Sequence, residues 1–171
     1  MLEIDLSQWG PAIIAGNLPY YITSPIIRKF LDLRLDFGRA VFLVQREVAD
    51  RLLATPNSRD YGFLSVMTQI VCEVELVCHV PAGAFSPPPK VESAAVRLTR
   101  RSNLPPNSDA LLTFVGRCFA QKRKTLRNNL RPYYGERADI LPEAGLRAEQ
   151  LSIDQFVDLY TRLAGNPELR G

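Results

Sequence analysis

Short apolar runs alternate with segments of helical periodicity over the first hundred residues. Residues 12–16 and 40–44 are continuously apolar, which is typical of strands that are covered on both faces of a parallel sheet. Between them, residues 24–35 repeat isoleucine, leucine and phenylalanine at three- and four-residue spacing, with Pro25 in the first turn, and this pattern predicts a helix. A strand, a helix and a second strand in this order predict a parallel βαβ unit.

The next part of the chain predicts two helices and a pair of antiparallel strands. The helices are expected over residues 45–53 and 61–71. Residues 73–80 alternate with Leu76 on the apolar face, and residues 91–98 alternate with Ser93 on the polar face, as strands do. Because no helical segment separates these two strands, we expect them to pair in antiparallel orientation at one edge of the sheet.

The pattern becomes entirely helical after residues 102–107, a polar segment that contains two prolines. From there on apolar side chains recur at helical spacing, for example Leu126 and Leu130. The chain is therefore expected to divide into an α/β domain over residues 1–101 and a small all-helical domain over residues 102–171.

The composition excludes several classes of protein. With 171 residues, of which 46% are hydrophobic and 23% charged, the chain suits a globular protein of one domain, or of one domain and a small second one. No apolar run approaches the ~20 residues that span a bilayer. The first residues lack the basic start and apolar core of a signal peptide, so we expect a cytoplasmic location and no membrane partner.

The three cysteines and the single histidine do not predict a metal site. Cys72 and Cys78 are separated by five residues, which is not a usual zinc spacing, and no second pair of ligands follows. Three cysteines at irregular spacing also argue against a disulfide framework. His79 stands at the end of a predicted strand, and we interpret it as structural.

Positive charge is concentrated between residues 110 and 135. This window holds six basic residues and no acidic residue. The six are Arg117, Lys122, Arg123, Lys124, Arg127 and Arg131. Since three of the arginines recur every four residues, we expect them to share one face of a helix, and the local charge favours an anionic partner such as RNA. A solvated charged face is the alternative interpretation.

The loop from Asn17 to Tyr20 follows the first predicted strand, at the carboxyl edge where open α/β sheets bind ligands. The Asn17 side-chain oxygen and the Leu18 carbonyl can accept both N–H groups of an exocyclic amine such as N6 of adenine. Pro19 fixes its own φ and so holds the preceding carbonyl in place. The Tyr20 ring can stack on the base. The alternative is an ordinary turn beside a packed tyrosine.

Five segments resemble, in the same order, the KsgA family of S-adenosylmethionine-dependent dimethyladenosine transferases, which act on small-subunit ribosomal RNA. The segments are Gly16 to Pro25, Val44 to Leu52, Tyr61 to Val66, Ala84 to Ala94 and Phe119 to Leu130. The resemblance implies an α/β fold, the C-terminal half of a Rossmann-like class I methyltransferase sheet, followed by a small all-helical RNA-binding domain. It also implies S-adenosylmethionine as methyl donor and the RNA of a 30S-type subunit as partner.

The resemblance also implies roles for single residues. Asn17, Leu18 and Pro19 are expected to form the catalytic pocket beside the methyl donor. Tyr20 is expected to stack on a flipped adenine, and Phe85 to cover the other face of the base. A core position beneath its loop is the alternative for Phe85. The six basic residues between 110 and 135 are expected to contact RNA phosphates.

One part of the family pattern is missing from these 171 residues. No G-x-G precedes Asn17, and no acidic residue follows a second cofactor-binding strand. The resemblance thus covers the family's enzymes from their fourth strand onward. We expect this fragment to be inactive alone, to have negligible affinity for S-adenosylmethionine, and to self-associate through the apolar edge strand at residues 12–16. The alternatives are a non-catalytic RNA- or ribosome-binding module and an Erm-like methyltransferase of large-subunit ribosomal RNA.

Overall fold

Four strands form one mixed sheet in the computed structural model, which describes residues 12–31, 37–105 and 107–164. The strands are β1 (Ala12–Asn17), β2 (Phe37–Gln45), β3 (Cys72–Val80) and β4 (Ser93–Arg100). Their order in the sheet is β1-β2-β4-β3. β1 pairs with β2 in parallel, and β4 pairs with β2 and β3 in antiparallel orientation. The predicted parallel unit and the predicted antiparallel pair are both confirmed.

Six α-helices lie within the described residues. They are α1 (Thr23–Phe30), α2 (Arg46–Leu53), α3 (Phe63–Val71), α4 (Ser108–Cys118), α5 (Leu126–Tyr134) and α6 (Ile153–Ala164). The ring centroids of Phe30 and Phe42 are 4.9 Å apart, which places α1 against β2. The helix predicted over residues 24–35 is confirmed as far as Phe30, and residues 32–36 lie outside the described residues. Each helix of the described part is too short or too polar to cross a bilayer.

The first strand differs from its prediction, because it is not covered on both faces. Ile14 packs against the core, whereas Ile13 on the opposite face is 78% exposed. β1 is also the last strand on its side of the sheet, and among the described residues it pairs with β2 alone. Its outer edge therefore presents backbone N–H and C=O groups without strand partners, beside an exposed isoleucine.

Two side chains of the antiparallel pair keep the predicted face but not the predicted burial. Leu76 is paired with the buried Val96 and so lies on the core face as predicted, but its side chain is exposed because β3 is an edge strand. Ser93 lies on the same face of β4 as Arg97, as predicted, but it is not exposed. Ser93 is fully buried at the first position of β4, where it is paired with Gln45 on one side and Val80 on the other.

The helices after residue 107 pack against the sheet region through α3. The Phe119 ring lies near Phe63 of α3 and Phe156 of α6, with centroids 6.5 and 5.7 Å away. The Tyr61 hydroxyl, just before α3, donates to the Leu151 carbonyl, just before α6, at 2.9 Å. Burial raises the pKa of Tyr61 to about 12. The division of the chain at residue 101 stays a prediction.

Candidate functional site

The backbone of Leu18 is fixed from the side of the sheet. Asn17 is the last residue of β1 and is paired with Leu43, and the Leu18 N–H donates to the Leu43 carbonyl at 3.0 Å. The Leu18 side chain is buried, so both its amide and its side chain hold the residue. Among the described residues no donor reaches the Leu18 carbonyl, which leaves this oxygen available to a ligand.

The two residues after Leu18 form a rigid turn. Pro19 has φ −59° and ψ 128° and leads into a short 3-10 turn, Tyr20–Ile22. Its carbonyl accepts from the Ile22 N–H at 3.1 Å and from the Thr23 hydroxyl at 3.0 Å. Thr23 is buried, and sequence reasoning missed it. The available signal was a threonine four residues after a proline at the start of a helix, a position from which its hydroxyl reaches a backbone carbonyl.

The Asn17 side chain is exposed at the carboxyl end of β1. Its amide makes no hydrogen bond within the part of the chain that the structure describes. The structure therefore brings together, on adjacent residues, the two acceptors that the sequence predicts, the Asn17 amide oxygen and the Leu18 carbonyl. Both lie at the edge of the sheet where ligands of α/β proteins bind.

The Tyr20 ring is anchored by its hydroxyl. The Tyr20 Oη and the Ser93 Oγ are 2.7 Å apart, in a hydrogen bond that either hydroxyl can donate. The ring itself is half-buried, while the neighbouring Tyr21 is 86% exposed. Tyr20 thus joins the loop after β1 to the first residue of β4. The stacking role predicted for its ring is not excluded by this bond, since the bond uses only the hydroxyl.

Phe85 lies in the connection between β3 and β4. It follows a 3-10 turn, Ala82–Ala84, and its N–H donates to the Ala82 carbonyl at 3.2 Å. The side chain is half-buried. This connection begins after Val80 and ends before Ser93, which are paired in the sheet, so the loops that carry Tyr20 and Phe85 meet at the start of β4. Its role as a cover for the base stays a prediction.

An ion pair fixes the end of the Phe85 loop. The Arg46 N–H donates to the Glu92 carbonyl at 3.0 Å, and an Arg46 guanidinium nitrogen lies 2.6 Å from a Glu92 carboxylate oxygen. The hydrogen bond and the charge of Glu92 raise the pKa of Arg46. Glu92 immediately precedes Ser93, so the loop returns to the sheet at a fixed place beside the start of α2.

The basic residues from 122 to 124 form an exposed turn between α4 and α5. The prediction that Arg123 shares a helix face with Arg127 and Arg131 is wrong, because α5 begins only at Leu126. The buried Asn129 of α5 is bonded to this part of the chain, because its side-chain N–H groups donate to one carbonyl oxygen at the end of α4 and to one in the connection. These are the carbonyl of Cys118 at 2.7 Å and that of Gln121 at 3.2 Å.

Three of the six predicted RNA contacts have partners within the protein. Arg127 and Arg131 lie 3.5 and 3.7 Å from the carboxylate of Asp139, an acid outside the window that holds the positive charge. Arg117 lies over the Tyr133 ring at 4.5 Å and donates to the Tyr134 hydroxyl at 3.1 Å. Lys122, Arg123 and Lys124 are exposed and have no ion pair among the described residues.

The three exposed cations lie next to another source of positive potential in the protein. They precede the N-terminus of α5, which carries the positive end of the helix dipole. The first amides of this helix already have partners, since the Leu126 N–H donates to the Leu146 carbonyl at 2.8 Å and the Arg127 N–H to the Ala144 carbonyl at 3.0 Å. The turn therefore concentrates positive potential that an external anion can neutralise.

The cysteines do not form a reactive or metal-binding centre among the described residues. No group of three or more histidine, cysteine, aspartate or glutamate side chains is close enough there to hold a metal ion. Burial raises the pKa of the Cys72 thiol to about 12 and also raises that of Cys118, so both thiols stay protonated and inert. Cys78 and His79 are exposed on β3.

A parallel βαβ unit with free acceptors after its first strand defines a Rossmann-like α/β protein, and two solved structures confirm this class. A dimethyladenosine transferase from Plasmodium falciparum superposes with a TM-score of 0.75 at 28% sequence identity, over 86% of this chain and 64% of that one. The 23S rRNA methyltransferase ErmE superposes with a TM-score of 0.66 at 28% identity, over 90% of this chain and 66% of that one.

Sequence comparison identifies the family. Residues 5–165 match the sequence model of ribosomal RNA adenine dimethylases. A relative from Acidobacterium capsulatum is 44% identical over 95% of this chain and 62% of its own length, and one from Chlorobaculum tepidum is 40% identical over 92% and 58%. Both are named ribosomal RNA small subunit methyltransferase A. The chain belongs to the ribosomal RNA adenine dimethylase family, and it spans 58 to 62% of the length of these relatives.

The methyl donor of this family is S-adenosylmethionine. The residues of the loop after β1 fit the reactive end of such a donor. The free oxygens of Asn17 and Leu18 suit a positively charged methyl donor and the amine that it alkylates, because an acceptor stabilises positive charge on either group.

Proposed function

We propose that this chain carries the adenine-binding half of an enzyme that dimethylates N6 of adjacent adenines in small-subunit ribosomal RNA. The observation that carries the proposal is the pair of unpartnered acceptors, the Asn17 amide oxygen and the Leu18 carbonyl, beside the anchored ring of Tyr20. The names of the relatives support the same substrate. The proposal includes a cytoplasmic location, because its substrate is the RNA of a small ribosomal subunit.

Methylation of adenine N6 depends on hydrogen-bond acceptors for the amine more than on a general base. The lone pair of adenine N6 is conjugated with the ring, so the nitrogen is a poor nucleophile. When Asn17 and the Leu18 carbonyl accept its two N–H groups, they favour a more tetrahedral nitrogen and stabilise the positive charge that develops on it. S-adenosylmethionine supplies an electrophilic methyl group when it is bound. An amine nitrogen that took up this group would become cationic, Asn17 and the Leu18 carbonyl would stabilise that charge, and the nitrogen would then lose a proton to water.

The anchored ring and the basic turn have separate tasks in this proposal. A flipped adenine stacks on Tyr20, with Phe85 covering its other face, and stacking contributes on the order of 1–3 kcal/mol per base. Lys122, Arg123 and Lys124 bind phosphates of the surrounding RNA without reading its sequence. Stacking on the two rings determines which base is presented for methylation, and the phosphate contacts supply most of the binding affinity.

The likeness to ErmE supports a second candidate, a methyltransferase of large-subunit ribosomal RNA. The chemistry at Asn17 is the same for both substrates. The 40 to 44% identity to the small-subunit enzymes favours the first candidate. Competition between a small-subunit hairpin with adjacent adenines and a large-subunit hairpin of equal length distinguishes them.

We also propose two properties of the 171 residues on their own. They lack a G-x-G segment before Asn17, so we expect no turnover and a negligible affinity for S-adenosylmethionine from this chain alone. The exposed outer edge of β1, with Ile13 beside it, favours pairing with another strand. In a solution of this chain, a second copy offers its own β1 edge for that pairing.

The test of the proposed function uses an RNA hairpin with 2-aminopurine at the target adenine. Binding is followed by fluorescence anisotropy and stacking by the quenching of 2-aminopurine. We expect the chain to quench the probe, and Tyr20→Ala to remove the quenching while most of the affinity persists. Tyr21→Ala is the matched control, because its ring is exposed and has no described contact. Binding without quenching by the unmodified chain contradicts the adenine-binding role.

A further inference from the structure

We propose that Ser93 is a positioning residue, which fixes where the far end of the Tyr20 ring lies and couples that ring to the loop that carries Phe85. The juxtaposition behind this proposal is a hydroxyl pair, the Tyr20 Oη and the buried Ser93 Oγ, at the point where three segments meet. The inference deepens the proposed function and rests on it, because it concerns the adenine-stacking role of Tyr20.

Strand pairing on both sides fixes the backbone of Ser93. Ser93 is the first residue of β4 and is paired with Gln45 of β2 and Val80 of β3, so neighbouring strands flank it on both sides. No part of its side chain is exposed to solvent. A buried hydroxyl needs a hydrogen-bond partner within the protein, and the partner of Ser93 is the Tyr20 hydroxyl at 2.7 Å. The serine is therefore a fixed point for the far end of the tyrosine ring.

The hydroxyl pair restricts one of the two side-chain rotations that Tyr20 retains. The backbone around Tyr20 is already set by the turn, in which the Pro19 carbonyl accepts from Ile22 and Thr23. The side chain can still rotate about χ1, which moves the whole ring, and the ring is only half-buried. Holding the hydroxyl fixes χ1, so the ring is in place before a base arrives, whereas rotation about χ2 leaves the hydroxyl oxygen where it is. Orientation of this kind reduces the entropy that binding must otherwise remove.

The same serine joins the two rings proposed to clamp the base. Val80, its partner in β3, is the last residue before the Phe85 loop, and Glu92, its predecessor, is tied to Arg46 by two hydrogen bonds. The strand pairing that holds Ser93 therefore also holds both ends of the Phe85 loop, and the hydroxyl pair places the Tyr20 ring relative to that loop.

The test compares Ser93→Ala with Tyr20→Phe and with the double variant. Each single change removes one half of the hydroxyl pair and leaves the tyrosine-sized ring in place. We expect each to lower the stacking equilibrium constant of 2-aminopurine, the ratio of stacked to unstacked base, roughly fivefold, the fold-change that corresponds to one hydrogen bond. The double variant is expected to lower it no further, and the RNA affinity measured by anisotropy should change little in all three.

Ser108→Ala is the matched control for a purely structural effect. Ser108 is buried too, and its hydroxyl donates to the Pro105 carbonyl, far along the chain from the loop. This variant is expected to lose stability and to keep full quenching at temperatures where it is folded. If Ser93→Ala behaves in the same way, Ser93 is only a packing residue and the proposal is wrong.

A measurement without RNA separates this proposal from the proposed function. In protein labelled with 13C at the tyrosine β carbon, the Hα–Hβ couplings report the χ1 rotamer, and the signals of Tyr20 are identified by their loss in Tyr20→Phe. We expect the couplings of a single rotamer in the unmodified chain and averaged couplings in Ser93→Ala. Unchanged Tyr20 couplings overturn the positioning role, whether or not RNA binds. Averaged couplings together with an absence of quenching by the unmodified chain support the positioning of the ring and contradict its adenine-binding role.

Discussion

The Asn129 side-chain amide donates a hydrogen bond of 2.7 Å to the carbonyl oxygen of Cys118. The donor lies inside α5 and the acceptor is the last residue of α4, so one buried side chain sets where the exposed basic turn begins and ends. The three cations of residues 122–124 lie in the turn that this contact spans and not on a continuous helix.

Removal of that contact should destabilise the protein. Asn129→Ala leaves the carbonyls of Cys118 and Gln121 without their donor, and a buried polar group without a partner costs about 1–3 kcal/mol. We expect the free energy of unfolding in urea to fall by this amount. Asn128→Ala is the control, since its side chain is exposed, and it should change stability by less than about 0.5 kcal/mol. Equal effects of the two substitutions would show that the contact is unimportant.

The basic turn should account for most of the salt dependence of RNA binding. Substitution of Lys122, Arg123 or Lys124 by alanine is expected to weaken binding to any RNA hairpin and to reduce the slope of log affinity against log salt by roughly 0.7 each. Arg127→Ala should have a smaller effect, because Asp139 already lies 3.5 Å from this guanidinium. Anisotropy titrations at several salt concentrations measure both quantities. An unchanged slope for all three turn variants contradicts the RNA contact.

Tyr61 should make the stability of the protein fall at high pH. Burial raises its pKa to about 12, whereas a tyrosine in the unfolded chain titrates near ~10. Its contribution is therefore complete below the pKa of the unfolded state and is lost as the pH rises from there through the folded value. We expect Tyr61→Phe, which also loses the hydrogen bond to Leu151, to show a smaller decrease over this interval. Urea unfolding at a series of pH values measures the decrease in the free energy of unfolding. An identical decrease in both proteins would contradict its assignment to Tyr61.

A charge on the exposed strand edge should suppress self-association. Ile13→Lys places a cation beside the outer edge of β1, and a lysine there opposes edge-to-edge pairing. The expected result is a lower average mass by light scattering across a range of concentrations. Ile140→Lys is the matched control, because Ile140 is 83% exposed but lies outside the sheet. If the unmodified chain is monomeric at every concentration, or if both variants act alike, the edge is not the interface.

The apolar runs and the alternation of the sequence predict the strand pairings of the sheet, but not its local irregularity or the burial of every side chain. The parallel pairing of β1 with β2 follows from a helix between two apolar runs, and the antiparallel pair from the lack of one. The alternation missed the irregularity after Leu76 and the burial of Ser93, because both depend on neighbours that are distant in sequence.

The candidate site could likewise be predicted from the sequence only in part. The loop from Asn17 to Tyr20 could be located from its residue types, since its acceptors belong to one short segment. The partners of the basic residues could not, because Asp139 reaches Arg127 and Arg131 only through the fold. The partner of Tyr20 is 73 residues away in sequence, and no local pattern indicates such a pair.

The Leu18 carbonyl has a consequence for how substitutions at this position are interpreted. The acceptor belongs to the peptide bond between Leu18 and Pro19, and the backbone holds it on both sides, through the hydrogen bond from the Leu18 N–H to Leu43 and through the turn at Pro19. Any apolar side chain that fits the same buried space leaves that oxygen where it is. A mutational scan that finds position 18 tolerant of isoleucine or methionine would thus report on the side chain alone, and the chemical role of the residue would be invisible to it.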